Sequence, residues 1–180
     1  MYNQLLRHGG QHEISPDFIE LCYLTLMAWG MNSRRAKLVC FSEFDDMINK
    51  HKNSIIELRK YSITDIHHHI YLQEEISNLF HNITISKCKT KIVSTSKLLH
   101  FVLPNTLVPI DWRYTLTFFN VYPSSISEGE IYLSIQKQFS QFAYKKKLSH
   151  LIGSEICPNI PKAIDNLLIA HIKKNRLLIL

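Results

Sequence analysis

Apolar residues in this chain recur mostly at spacings near three and four, and sustained strand-like alternation is scarce. Ile66, Ile70, Leu72, Ile76, Leu79 and Phe80 follow that rhythm, which puts them on one face of a helix. Ile131, Leu133, Ile135, Phe139 and Phe142 repeat it, as do Ile164, Leu167, Leu168, Ile169 and Ile172. Strand-like alternation is confined to Ile83–Ser86 and Leu177–Leu180. The pattern predicts an all-α chain.

Local signals place the boundaries. Ser15-Pro16 reads as a capping residue followed by Pro at the first helical position. The helix it opens, through Phe18, Leu21, Cys22, Leu24, Leu26, Met27 and Trp29, is apolar almost all round, so it is expected at the centre of the core. Gly30 ends it. Further starts are expected near Ser33, ahead of Ala36, Leu38 and Val39, and at Ser42-Glu43-Phe44. Ile55, Ile56 and Leu58 are expected on a short helix, and Thr64 as the cap of the next. Lys91 to Ser96 reads as a polar turn, and Lys97 to Leu103 as a helix stopped by Pro104. Asn105 to Pro109 is a connector, Asp111 caps a helix running to Phe119, and Pro161 opens the last helix.

With 180 residues, 5 Gly and 6 Pro, the chain suits a single compact domain over residues 1–180, with room for two interleaved lobes. The formal charge of +6 is uneven: residues 1–80 hold 8 Lys/Arg and 10 Asp/Glu, whereas residues 81–150 hold 9 and 3. The excess of positive charge therefore lies after residue 80, as expected of a basic face for an anionic partner. Four cysteines at 22, 40, 88 and 157 match no zinc or iron–sulfur spacing, which suits free thiols in a reducing cytoplasm. Met1 to His12 lacks the apolar core of a signal peptide, and Leu21 to Met31 is too short to span a bilayer, so no membrane is expected. Without a secretion signal, the sequon Asn82-Ile83-Thr84 has no consequence.

The most informative stretch runs from Ser94 to Pro104 and from Leu107 to Thr115. A polar turn opens an apolar helix, a connector comes next, and an Asp starts the second helix. The backbone N–H groups of that turn, flanked by Lys91 and Lys97, would attract a phosphate. Asp111 has two compatible readings. It is a favoured cap, and between Ile110 and Trp112 it would also be partly desolvated, able to stabilise positive charge on a sugar or position a water. Lys97 is read either as a nucleophile that forms an imine, which requires burial, or as an exposed phosphate contact; the residues alone favour the contact. Three adjacent histidines, His67, His68 and His69, point different ways on a helix and cannot ligate one metal together. Arg34-Arg35 and Lys145-Lys146-Lys147 are basic clusters that read as solvated faces, the arginines also as a possible clamp on a backbone.

This arrangement resembles the helix-hairpin-helix DNA glycosylase superfamily, the group of endonuclease III, MutY and AlkA. Ser96-Lys97 with Leu98 to Leu103 is similar to the helix after the family hairpin, and Val108-Pro109-Ile110-Asp111-Trp112-Arg113 to the segment holding the family's catalytic Asp. Upstream, Leu21 to Trp29 followed by Gly30-Met31-Asn32-Ser33-Arg34-Arg35-Ala36 resembles the early buried helix and the turn that probes the duplex. Three departures stand out: Ile92 to Ser96 has no glycine where the family has Leu-Pro-Gly-x-Gly, the gap from Lys97 to Asp111 is shorter than in lyase-type members, which sets Lys97 off the family's Schiff-base position, and no cluster cysteines lie downstream.

The resemblance implies two helical lobes with a cleft between them. It implies a monomer that acts on double-stranded DNA, with no cofactor and no metal. The enzyme would rotate one base outward and hydrolyse its N-glycosidic bond, in repair or in defence against phages with modified bases. Asp111 would be catalytic, with Lys97 beside it. Asn32, Ser33, Arg34, Arg35, Lys91, Ser94, Thr95 and Ser96 would contact DNA. Trp29, Trp112 and Tyr114 would line the base pocket. The other reading is a helical DNA-binding protein that kept the fold and lost the chemistry.

Overall fold

The computed structural model describes residues 2–9, 13–32, 37–123 and 127–177. Eight α-helices cross these segments: α1 (Tyr2–Gly9), α2 (Pro16–Ala28), α3 (Phe41–Leu58), α4 (Ile70–Asn82), α5 (Ile92–Val102), α6 (Thr117–Phe119), α7 (Glu128–Lys146) and α8 (Ile160–Leu177). Among the described residues the extended pairing is limited to one antiparallel bridge, Leu38 with Ser86. The chain is all-α, and no described helix is long and apolar enough to cross a membrane.

The α2 boundaries arise from side-chain and backbone chemistry. The Phe18 N–H donates to Ser15 Oγ (3.2 Å), and Pro16 occupies the first turn, where no N–H is needed. At the other end Gly30 takes φ +78°, the Gly30 N–H donates to Met27 O and the Met31 N–H to Leu26 O. These two bonds form a Schellman stop, which turns the chain sharply just after Trp29.

Several expectations are corrected. The central helix is α5, not α2. Ten of the eleven α5 residues are buried, and it touches α1, α2, α4 and α7, whereas Leu24 and Met27 of α2 are exposed. The polar turn expected over Lys91 to Ser96 is instead the first turns of α5. Residues 41–58 form one helix rather than two, because nothing between Lys50 and Ser54 breaks it. Leu38 and Val39 are extended, with the Val39 N–H donating to Ile85 O (3.0 Å). The three histidines lie in the turn between a short 3₁₀ segment at Ile63–Asp65 and α4, where His67 bonds to Ser140 Oγ of α7 (2.8 Å). The helix expected near Ser33 and the strand expected at Leu177–Leu180 fall on residues 33–36 and 178–180, outside the described residues, save that Leu177 ends α8.

The connector after α5 positions the site. Leu103, Pro104, Thr106, Leu107, Val108, Pro109 and Ile110 are buried although they form no helix or strand. Their backbone groups cannot reach water, so each needs an internal partner. Side chains supply them. The Val108 N–H donates to Gln136 Oε1 (3.0 Å), and Gln136 Nε2 donates back to Val108 O (2.8 Å). The Ile110 N–H donates to Ser96 Oγ (3.0 Å). His100 Nδ1 lies 2.6 Å from Leu107 O, which makes it the protonated nitrogen and leaves Nε2 to accept from the Tyr2 hydroxyl. Burial pushes the His100 pKa down to about 4, so the ring is neutral.

Gln136→Leu keeps the bulk of the side chain but strands the Val108 N–H and C=O in the core. With about 1–3 kcal/mol for each buried group left unmet, a loss of about 2–5 kcal/mol is expected from urea unfolding. A loss under ~1 kcal/mol would show that the connector does not depend on this clamp.

Candidate functional site

Asp111 ends the buried connector and caps the next turn. Its Oδ1 accepts from the Arg113 N–H (2.8 Å), and its own N–H donates to Thr115 Oγ1 (3.3 Å). The segment it caps, Trp112–Leu116, is one wide π-type turn, with the Leu116 N–H reaching Asp111 O, before the chain tightens into α6. The cap engages one carboxylate oxygen; the other has no hydrogen-bond partner among the described residues.

Asp111 stands on a wall shared by two adjoining recesses. The outer cleft, about 910 Å³, is lined by Trp29, Met31, Lys89, Ser94, Lys97 and Trp112 among others. The inner recess, about 190 Å³, is lined by Trp29, Lys97, Pro109, Ile110, Tyr114, Lys162, Asp165 and Ile169 as well as Asp111. Trp29, Lys97 and Asp111 belong to both. Three distant stretches meet here for separate reasons. The Schellman stop presents Trp29, which packs edge-on against Phe101 at 4.9 Å. α5 carries Lys97, and the connector delivers Asp111.

Lys97 is only 9% exposed, which corrects its reading as an exposed phosphate contact. Its Nζ lies 5.5 Å from the centre of the Trp29 ring and has no hydrogen bond to a described residue. Burial lowers its pKa, opposed by the negative charges of Asp111 and Asp165. Asp165 is a buried carboxylate, bonded to Lys162 Nζ at 2.6 Å. Burial raises its pKa, and Lys162 pulls it back.

Of the other residues nominated from sequence, Trp112 is half exposed on the outer cleft and Tyr114 faces the inner recess. Asn32 is exposed, next to the cleft residue Met31. Ser33, Arg34 and Arg35 lie outside the described residues. The phosphate turn is corrected. Ser94, Thr95 and Ser96 are buried in α5, and their hydroxyls donate to Lys91 O, Ile83 O and Val93 O. The Lys91 and Ile92 N–H groups donate to the Glu128 carboxylate at 2.9–3.1 Å, so the N-terminus of α5 already holds an anion. The Lys91 ammonium bonds to His81 O and Thr84 Oγ1.

Lys37, Lys87 and Lys89, which sequence reasoning passed over, are exposed instead. The Lys87 N–H donates to Lys37 O (2.7 Å), bringing two of these lysines together beside the cleft residues Ser86, Cys88 and Lys89. The signal was the close pair Lys87-x-Lys89 in the non-helical stretch between α4 and α5. Asp165 had none, since it reads as an ordinary residue of an amphipathic helix. Among the described residues no three His, Cys, Asp or Glu side chains gather as a metal site.

A lysine whose pKa is lower folded than unfolded binds fewer protons in the native state, so its burial costs stability below the folded pKa. That cost fades as pH rises toward the unfolded value. Lys97→Met should therefore be more stable than the parent at pH 7, with the difference shrinking by pH 10 in urea titrations. A variant less stable than the parent at pH 7 would show that the two carboxylates outweigh burial. Compared with family models, curated proteins and solved structures, the chain matches none.

Proposed function

We propose that the chain is a DNA N-glycosylase that takes one base out of the duplex and hydrolyses its bond to the sugar. The observation that carries this reading is Asp111, a carboxylate with one oxygen unbonded among the described residues, on the wall common to a wide cleft and a small aromatic-lined recess, beside a buried lysine. Lys37, Lys87 and Lys89 at the cleft rim suit a phosphate backbone. A flipped nucleotide would place its sugar near Asp111 and its base against Trp29 and Tyr114.

In hydrolysis, the water oxygen bonds to C1′ while the base leaves with the electrons of the glycosidic bond. The water's proton ends on the departing base, giving free base and an abasic site. Asp111 would stabilise the cationic sugar and orient that water. The burial of Lys97 supports a second route on the same scaffold. A neutral amine could add to C1′ while the base leaves with the glycosidic electrons and takes up the amine proton; opening of the sugar's C1′–O4′ bond then gives an imine, and β-elimination of the 3′-phosphate from it cleaves the strand. Repair of damaged bases and defence against modified phage DNA both fit this chemistry. The helical DNA-binding alternative would leave Asp111 with its cap alone.

Duplexes carrying alkylated, oxidised, deaminated or glucosylated bases test the reading by counting abasic sites. Release from at least one substrate is expected, falling roughly 10²–10⁴-fold in Asp111→Asn. Equal rates in both proteins would remove Asp111 from the chemistry, and no release from any substrate would favour a binding protein. Borohydride separates the routes: the imine route leaves a covalent protein–DNA adduct that Lys97→Gln abolishes, and hydrolysis leaves none.

A further inference from the structure

We propose that the inner recess seats the expelled base and that Lys162 and Asp165 read its pairing edge, so that the bases accepted are those whose pairing edge is unmodified. This rests on the excision reading and adds to it a substrate class and two residues.

The recess has the chemistry of a site for a flat heterocycle. Trp29 and Tyr114 offer aromatic surface for stacking, and Pro109, Ile110 and Ile169 are apolar. Its polar lining is Lys97, Asp111 and the Lys162–Asp165 pair, in which an ammonium is held 2.6 Å from a carboxylate oxygen. A donor thus stands directly beside an acceptor. The pairing edge of a nucleobase presents the complement, an acceptor atom next to an N–H. The ammonium would donate to the ring carbonyl or ring nitrogen, and the carboxylate would accept from the neighbouring N–H.

The pair is fixed before any ligand arrives. The Lys162 N–H donates to Asn159 Oδ1 (2.8 Å), and the ammonium lies 5.7 Å from the centre of the Tyr2 ring. Asp165 is 7% exposed, so its lone pairs have little competition from water. Two partly dehydrated charges gain from a ligand that bonds to both and lose from one that bonds to neither. A methyl group on the ring N–H would remove the donor and place carbon against the carboxylate. Modified bases altered elsewhere on the ring would still be accepted.

The chain holds two tryptophans, so Trp112→Phe leaves Trp29 as the sole reporter in the recess. Its fluorescence is titrated with free hypoxanthine and uracil and with 1-methylhypoxanthine and 3-methyluracil. Saturable quenching by at least one unmethylated base is expected, weakened tenfold or more by methylation and by Asp165→Asn. Lys162→Gln should weaken it similarly, and it carries the test alone if Asp165→Asn fails to fold. Lys145→Gln, far along α7, should change nothing. No saturable quenching by either unmethylated base would overturn the proposal. So would equal binding of methylated and unmethylated bases, or unchanged binding in whichever variants fold. Base binding without base release from DNA would leave the recess assignment standing while excision falls. Release with unchanged binding in both variants would do the reverse.

Discussion

The backbone between Val102 and Asp111 is irregular and buried at once, and its polar groups must be met by protein rather than water. That requirement organises the interior. Gln136 of α7 bonds both polar groups of Val108, Ser96 of α5 takes the Ile110 N–H, and His100 of α5 reaches Leu107 O. Arg59 Nε at the end of α3 donates to Val102 O, and the Thr106 hydroxyl to Tyr61 O. Each bond ties the connector to a neighbouring part of the fold. The last residue of the connector is Asp111, so the geometry of the carboxylate is inherited from packing across the whole domain. A helix in the connector's place would have satisfied itself and left Asp111 free to drift.

The same economy explains the polar face of α5. A helix so thoroughly buried would be expected to be apolar, yet it carries Ser94, Thr95, Ser96, Lys97 and His100. Four of these bond to backbone carbonyls or N–H groups. Lys97 is the exception: its ammonium has an aromatic face and two carboxylates at longer range but no hydrogen bond among the described residues. A buried cation held this way is costly unless something is gained by it. It stands on the wall of two recesses, within electrostatic reach of the carboxylates of Asp111 and Asp165.

The helical class was legible in the sequence, because the spacing of apolar residues is a property of each segment alone. So were the caps at Ser15 and Asp111 and the stops at Gly30 and Pro104, where one side chain or one φ value decides the matter. The order of burial was not legible. α2 has the more apolar composition, but α5 sits at the centre, where its Ser96 hydroxyl and His100 imidazole serve the connector, a role that exists only once the connector is folded beside them. Ser96 therefore read as a residue of an exposed turn. Asp111, Lys97, Trp29, Trp112 and Tyr114 could be nominated from local context, whereas Asp165 and Lys162 enter the recess through α8 packing on the π-type turn, a contact between residues about fifty positions apart that no local pattern encodes.

Glu128 bears on how a nucleic acid could approach. The resemblance to the hairpin glycosylases implies a phosphate at the start of α5, where backbone N–H groups are unpaired in a bare helix. Here the Glu128 carboxylate takes the Lys91 and Ile92 N–H groups, and it is 3% exposed. A phosphate there would have to displace a buried carboxylate or share its space, and both are unfavourable for two anions at van der Waals distance. At this end of α5 the Glu128 carboxylate of α7 therefore occupies the N–H groups that a phosphate would need. In the excision reading, contacts to a nucleic-acid backbone would then come from elsewhere on the cleft. Lys37, Lys87 and Lys89 are exposed beside it, and their charge does not depend on a glycine turn.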